Sequence, residues 1–196
     1  MGKKKENLTQ MRVLRIEIDK NHKMYNKIDN WCFLSKNLYN RTLYVLKNYW
    51  SATKKLHDNE EKEEGEKIEL HENEKEVLEF VNSFITNEDD QLKTAWYGKI
   101  ITNYTLNSLL KNDENFKAMK AESSLCIIKQ VSTSFESHFK ALDDWVKHKD
   151  KYTGKPKMPK YKNKDGRFNF IMGKNQCKIK DGVLTFTSRG DKDMAN

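Results

Sequence analysis

The chain has 196 residues, 36% of them hydrophobic and 34% charged, with a net charge of +8 and an isoelectric point near 9.2. That length suits one large domain or two small ones with a modest core, and the basic balance favours a polyanion as partner, nucleic acid ahead of an anionic membrane. No stretch is apolar enough to span a bilayer, no signal-peptide run opens the chain, and Cys32, Cys126 and Cys177 are too widely spaced for a disulfide framework or a zinc site. A cytoplasmic protein without a membrane partner is expected.

The charge is segregated along the chain. Residues 1–50 carry 11 Lys/Arg against 4 Asp/Glu, and residues 51–92 carry 5 against 14. Residues 93–146 are nearly balanced at 7 against 6, and residues 147–196 carry 14 against 5. Two basic blocks therefore flank an acidic insert. If both ends meet in one domain, that domain is far more basic than the whole.

In chain order, residues 1–10 are lysine-rich and expected to be loose. Met11–Ile18 alternates Leu14, Ile16 and Ile18 with Val13, Arg15 and Glu17, which predicts a strand. Asp29 or Asn30 is a candidate cap for a helix to about Ser51, with Leu34, Leu38, Val45, Leu46, Tyr49 and Trp50 as a core-facing stripe. Residues 56–76 are acidic and of low complexity, so a solvated helix–loop element is expected; His57, His71 and the glutamates there are weak candidates for a metal site. Two shorter helices follow over Val77–Thr86 and Leu92–Lys111. Ser123 or Ser124 then caps a long helix to about His148, on which Leu125, Ile128, Val131, Phe135, Phe139, Leu142 and Val146 step by three or four.

From residue 149 the pattern changes. Both prolines of the protein, Pro156 and Pro159, fall in a lysine-rich run, and proline disfavours helix at the residue before it. The run is therefore expected to be extended. Arg167–Met172 reads as a strand, and Cys177–Lys180 and Val183–Thr187 flank Asp181-Gly182, a two-residue hairpin signal. Residues 188–196 read as a disordered tail. An isolated hairpin is only marginally stable, so the first strand is expected to join the last three. The fold class predicted is α+β: a small antiparallel β-barrel of oligonucleotide-binding type, built from residues 1–28 and 149–187. A helical lobe over 29–148, with the acidic insert at about 56–92, interrupts it.

No catalytic constellation stands out. There is no glycine-rich phosphate loop and no nucleophile elbow. Asp19 has no strand-borne carboxylate partner, and the five histidines (His22, His57, His71, His138, His148) are dispersed. His138, beside Phe139, reads as structural. No catalytic and no metal-ligating residue is assigned. What is present is a basic–aromatic segment: Lys155, Lys157, Lys160, Tyr161, Lys162, Lys164, Arg167, Phe168 and Phe170. Lysines neutralise phosphates with release of counterions, and rings offer stacking platforms to unpaired bases. Of Phe168 and Phe170, at most one is expected to stack. Tyr161 could be platform or core.

The helix Ser123–Lys147, then Gly154-Lys155-Pro156-Lys157-Met158-Pro159-Lys160-Tyr161-Lys162, then Arg167-Phe168-Asn169-Phe170, resembles the N-terminal half of TnpB proteins. These are the OrfB-type proteins of insertion sequences, long called transposases, and they are similar to compact type V CRISPR effectors. The family pattern is an amphipathic helix ending in aromatics, a basic Lys-Pro-x-aromatic-Pro-Arg/Lys-aromatic-Lys run, and an aromatic strand; Met158 stands where an aromatic is usual. Leu34-Ser35-Lys36-Asn37-Leu38-Tyr39-Asn40 resembles the family's first-helix pattern, which often carries Tyr-Asn. The likeness spans nearly all of 11–187, apart from the acidic insert.

The resemblance implies a wedge-type barrel with a recognition lobe that binds guide RNA and holds the guide–target duplex, while base pairing reads the target DNA. By carry-over, Lys155, Lys157, Lys160 and Lys162 face polynucleotide backbone, with Tyr161, Lys164 and Arg167 beside them. Ser123 and Ser124 lie near the motif adjacent to the target. The family's RuvC-like nuclease, with its Asp/Glu/Asp metal site and zinc insertion, would follow the last strand. On that resemblance the 196 residues alone are expected to carry no cutting activity, although the family they resemble is an RNA-guided endonuclease. Magnesium and zinc are expected only with that domain, which a separate nuclease chain could supply. The location implied is the nucleoid of a prokaryotic cytoplasm. The alternatives are a naturally truncated TnpB-like DNA-binding regulator, or a basic interaction protein that binds nucleic acid unspecifically.

Overall fold

The computed structural model describes residues 13, 15–84, 101–173 and 175–186. Its axis is a single long helix, α1 (Tyr25–Asp58). Those 34 residues contain neither glycine nor proline, so nothing in them breaks the helical ladder, and the helix runs roughly 50 Å at 1.5 Å per residue. It starts before the predicted Asp29 cap and outlasts the predicted end at Ser51. Polar groups buried on it close onto its own backbone: Thr42 Oγ1, Asn48 Nδ2 and Thr53 Oγ1 each donate to the carbonyl four residues back, at 2.8, 2.8 and 2.9 Å.

After α1 the chain turns back through a loop. Asn59 pins that loop by donating to the carbonyl of Ile68 and accepting from its N–H, both at 2.8 Å. Helix α2 (Glu72–Asn82) then returns along α1. It begins five residues before the predicted Val77. Glu74 explains the start: its carboxylate reaches back to accept the N–H of His71 at 2.8 Å, a first-turn cap.

Helices α3 (Asn103–Leu110), α4 (Glu114–Ala118) and α5 (Ala121–Lys147) complete the helical part. The described part of the predicted 92–111 helix is α3, and residues 92–100 lie outside the described residues. The core is shared by α1 (Leu38, Leu43, Val45, Leu46, Tyr49), α2 (Val77, Val81), α3 with its lead-in (Ile101, Leu106, Leu109, Leu110) and α5 (Ile127, Ile128, Val131, Phe135). The stripe read on α1 is therefore core. On α5 the buried face is turned slightly from the predicted one: Ile127 is fully buried while Leu125 and Val146 are 38% and 62% exposed.

The predicted β-barrel is not there. Among the described residues the only sheet is an antiparallel hairpin of β1 (Cys177–Lys180) and β2 (Val183–Phe186), pairing Cys177 with Phe186 through to Lys180 with Val183. Its turn is the Asp181-Gly182 pair, at φ 52° and 76°, the left-handed geometry that two-residue hairpins require. Residues 15–18 form no strand, and Val13 and Ile16 are 96% and 64% exposed. The rest of the predicted 11–18 strand, and Thr187 with the tail, lie outside the described residues.

Arg167–Met172 is extended but joins no ladder. Its bonding goes to α1 instead. The Phe168 N–H donates to the Cys32 carbonyl at 3.1 Å, the Phe168 ring lies 4.6 Å from Tyr39, and Phe170 stacks on Trp31 at 5.0 Å. A helix face has taken the place that a partner strand was expected to fill. Trp31 also meets Phe186 edge-on at 5.9 Å, which holds the hairpin against the start of α1.

Candidate nucleic-acid interface

The basic–aromatic segment forms a strap that leaves α5 at His148 and runs antiparallel to α1. Tyr152 fixes its start, donating its hydroxyl to Asp144 at 2.7 Å. Farther along, four residues of α1 grip the strap by its main chain. Tyr39 donates its hydroxyl to the Lys160 carbonyl at 3.4 Å. Asn40 donates to the Lys162 carbonyl at 3.0 Å and accepts the Lys162 N–H at 2.8 Å. The buried Lys36 ammonium donates to the Lys164 carbonyl, and the Cys32 carbonyl takes the Phe168 N–H. Residues 32, 36 and 39/40 share one helix face by their spacing, so a single stripe of α1 binds the strap. Burial lowers the pKa of Lys36, and the Lys164 carbonyl is the oxygen its ammonium bonds inside the protein.

With the backbone held, the side chains sort by side. Pro156, Met158, Pro159, Phe168 and Phe170 are half-buried. Both phenylalanines point inward, because residues two apart on an extended chain share a face; neither is free to stack on a base. Lys155, Lys157, Lys160, Tyr161 and Lys164 are exposed. Lys162 is half-buried, its ammonium 4.9 Å from the Tyr39 ring and 5.0 Å from Phe168. Arg167 is exposed but occupied, with a two-pronged pair to Asp29 at 2.8 and 2.7 Å. That hydrogen bonding holds the Asp29 carboxyl below its usual range.

Ser123 and Ser124 do not belong to this surface. Both are fully buried inside the first turn of α5. Ser123 donates to Gln176 Oε1 at 2.8 Å, and Ser124 donates to the Phe116 carbonyl at 3.0 Å. Ser123 ties α5 to the turn before β1, and Ser124 ties it to α4.

The strap's electrostatics are one-sided. Residues 149–170 hold eight Lys/Arg and two Asp, and among the described residues none of Lys155, Lys157, Lys160 and Lys164 forms an ion pair. Three residues that the sequence pattern did not single out add to the surface. Lys47 of α1 lies 4.8 Å from the Tyr161 ring, and burial lowers its pKa. Trp145, on the last turn of α5, has the ammonium groups of Lys149 and Lys155 at 5.3 and 5.9 Å from its ring. The pair Trp145 and Lys149 was visible as a four-residue step; the approach of Lys47 depends on the fold.

Beneath the strap, His138 on α5 lies 5.0 Å from Phe139. Burial above all lowers its pKa; Lys155 and Lys47 act the same way, and a backbone hydrogen bond with Lys157 opposes them. Its Nδ1 is buried with no hydrogen-bond partner among the described residues. Among the described residues no group of three or more His, Cys, Asp or Glu is placed to hold a metal ion, and no helix is long and apolar enough to cross a membrane. His57, one of the weak metal candidates, pairs with Glu60 at 3.2 Å. Comparison with protein-family models, with curated proteins and with solved structures gave no match.

Proposed function

We propose that the chain binds polynucleotide through the strap, as the guide-RNA- and target-DNA-binding portion of a TnpB-like RNA-guided nuclease. The observation that carries the reading is a row of lysines, without ion pairs among the described residues, on a fixed backbone. Lysines that only solubilise need no anchored main chain, whereas here it is gripped at Lys160, Lys162, Lys164 and Phe168. Fixing the backbone fixes the points from which the lysines project, and their flexible stems then place the cations along a repeating phosphate chain. The TnpB part of the reading has separate support. The two sequence patterns that carry the resemblance, around Tyr39-Asn40 and around Lys160–Lys162, touch each other through hydrogen bonds spanning more than 120 residues of chain.

The test is purification of the chain from cells, followed by sequencing of the RNA that accompanies it. One structured RNA species is expected, with affinity falling linearly in log–log against salt. Changing Lys155, Lys157, Lys160 and Lys164 to Ala should lower that slope by about 3, at roughly 0.7–0.9 per phosphate contact, and leave the thermal melt nearly unchanged. Equal affinity for any RNA of similar length would favour the second reading, a basic protein that binds nucleic acid unspecifically. Absence of any polynucleotide would remove both.

A further inference from the structure

The face beside the strap carries two aromatic rings that the core does not use. Tyr161 is 47% exposed, and its hydroxyl has no hydrogen-bond partner among the described residues. Trp145 is half-buried at the end of α5, next to the point where the strap departs. Each ring has lysine ammoniums over it: Lys47 over Tyr161, and Lys149 and Lys155 over Trp145. Burying an aromatic side chain in the core is favourable, so the exposed Tyr161 ring and the half-buried Trp145, each with lysines over it, stand out against Phe135 in the core cluster and Phe168 and Phe170 packed against it.

We propose that this face takes single-stranded nucleic acid, with bases stacked on Trp145 and Tyr161 and phosphates on Lys47, Lys149, Lys155, Lys157 and Lys160. The proposal rests on the strap reading and narrows it from polynucleotide in general to unpaired nucleotides. A duplex hides the faces of its bases against each other, so only an unpaired base can lie on an exposed ring. The lysine-lined approach supplies the phosphate contacts that such stacking platforms accompany. Extended backbone advances ~3.3 Å per residue, so Lys155 and Lys157 are separated by about one nucleotide step of a stretched strand.

The experiment uses the full chain and three labelled probes at fixed salt: a ten-nucleotide oligo(U), a ten-nucleotide oligo(dT), and a ten-base-pair RNA duplex. Binding is read by fluorescence anisotropy. At least one single strand should bind more than tenfold tighter than the duplex, and the tighter arm names the sugar. Trp145→Ala and Tyr161→Ala should each weaken single-strand binding about 5- to 150-fold, equivalent to about 1–3 kcal/mol of stacking, and leave duplex binding and the salt slope unchanged. Trp145→Phe and Tyr161→Phe should recover most of the affinity, which a folding defect would not allow. Duplex bound as tightly as single strand, or Ala variants that leave the ratio unchanged, overturns stacking. If the lysine variants still weaken every probe in that case, the strap reading stands. No binding of any probe sinks the strap reading itself.

Discussion

The acidic arm over residues 59–82 and the basic strap over residues 149–170 are pinned by the same device, within the arm itself in the first case and from α1 in the second. In each, one asparagine side chain takes both main-chain hydrogen bonds of a single residue: Asn59 with Ile68, Asn40 with Lys162. What differs is the fate of the charges. In the arm, Glu74 is buried and receives Lys55 at 2.7 Å and Ser51 at 2.6 Å, and Lys67 and Lys75 pair with Glu64 and Glu72. In the strap, Lys155, Lys157, Lys160 and Lys164 form no ion pair among the described residues. Charge neutralised within the chain builds structure; charge left unneutralised on an immobilised backbone is open to a ligand. The arm is thus a scaffold element despite its acidity, and the strap is a surface.

The sharpest way to break that contrast is Glu74→Ala. It leaves Lys55, only 18% exposed, without its carboxylate, and losing one partner of a buried pair costs about 3 kcal/mol. Chemical denaturation should show a loss of that size, while affinity for polynucleotide stays within twofold; a large drop in affinity would give the arm a binding role. The same residue sets an acid limb. Burial pushes the Glu74 carboxyl up, but its bonds from Lys55, Ser51 and the His71 N–H outweigh burial and hold it below the usual range. A carboxyl depressed in the folded state stabilises fully above its ordinary value, ~4.3, and that stability is lost as pH falls through the folded value. Glu74→Ala should flatten this limb.

Asn40→Ala tests the strap in the opposite direction. Removing two half-buried hydrogen bonds should cost about 1–3 kcal/mol, and polynucleotide binding should fall although no lysine has changed. Unaltered binding would mean that the lysines work without a fixed backbone. The smallest expected effect belongs to His138. Its depressed pKa favours the neutral ring in the folded chain, so its contribution is complete above ~6.5 and declines as pH drops below that toward the folded value. Between pH 7.5 and 5.5 the native melt should fall further than that of His138→Gln, and equal falls would show that the ring contributes nothing.

Periodicity made α1 and α5 legible, because their apolar steps of three and four have one reading. The extended segments were ambiguous for a physical reason. Alternation at Phe168 and Phe170 says only that two rings face one way. It does not say whether they meet a strand or a helix, and that choice was made by Trp31, Tyr39 and Cys32 far away in the chain. The barrel expectation failed at that step. The lysine run was legible as a surface because its prolines forbid a helix. Lys47 and Lys36 were not, since a lysine on an amphipathic helix gives no local sign of what it will lie against. Ser123 and Ser124 misled because serine near a helix start reads as a cap, whereas here Lys120 precedes the helix and both serines fall within its first turn.

Between Lys160 and Phe168, the hydrogen bonds that α1 makes to the strap's main chain take five peptide groups: the carbonyls of Lys160, Lys162 and Lys164 and the amides of Lys162 and Phe168. Those bonds are indifferent to the side chains that point outward, whereas Phe168, Phe170 and Arg167 are held by their own side chains. The outward positions 155, 157, 160, 161 and 164 can therefore be exchanged one by one, by drift or by engineering, without disturbing the seat beneath them. In such an arrangement the ligand preference can change while the fold stays put.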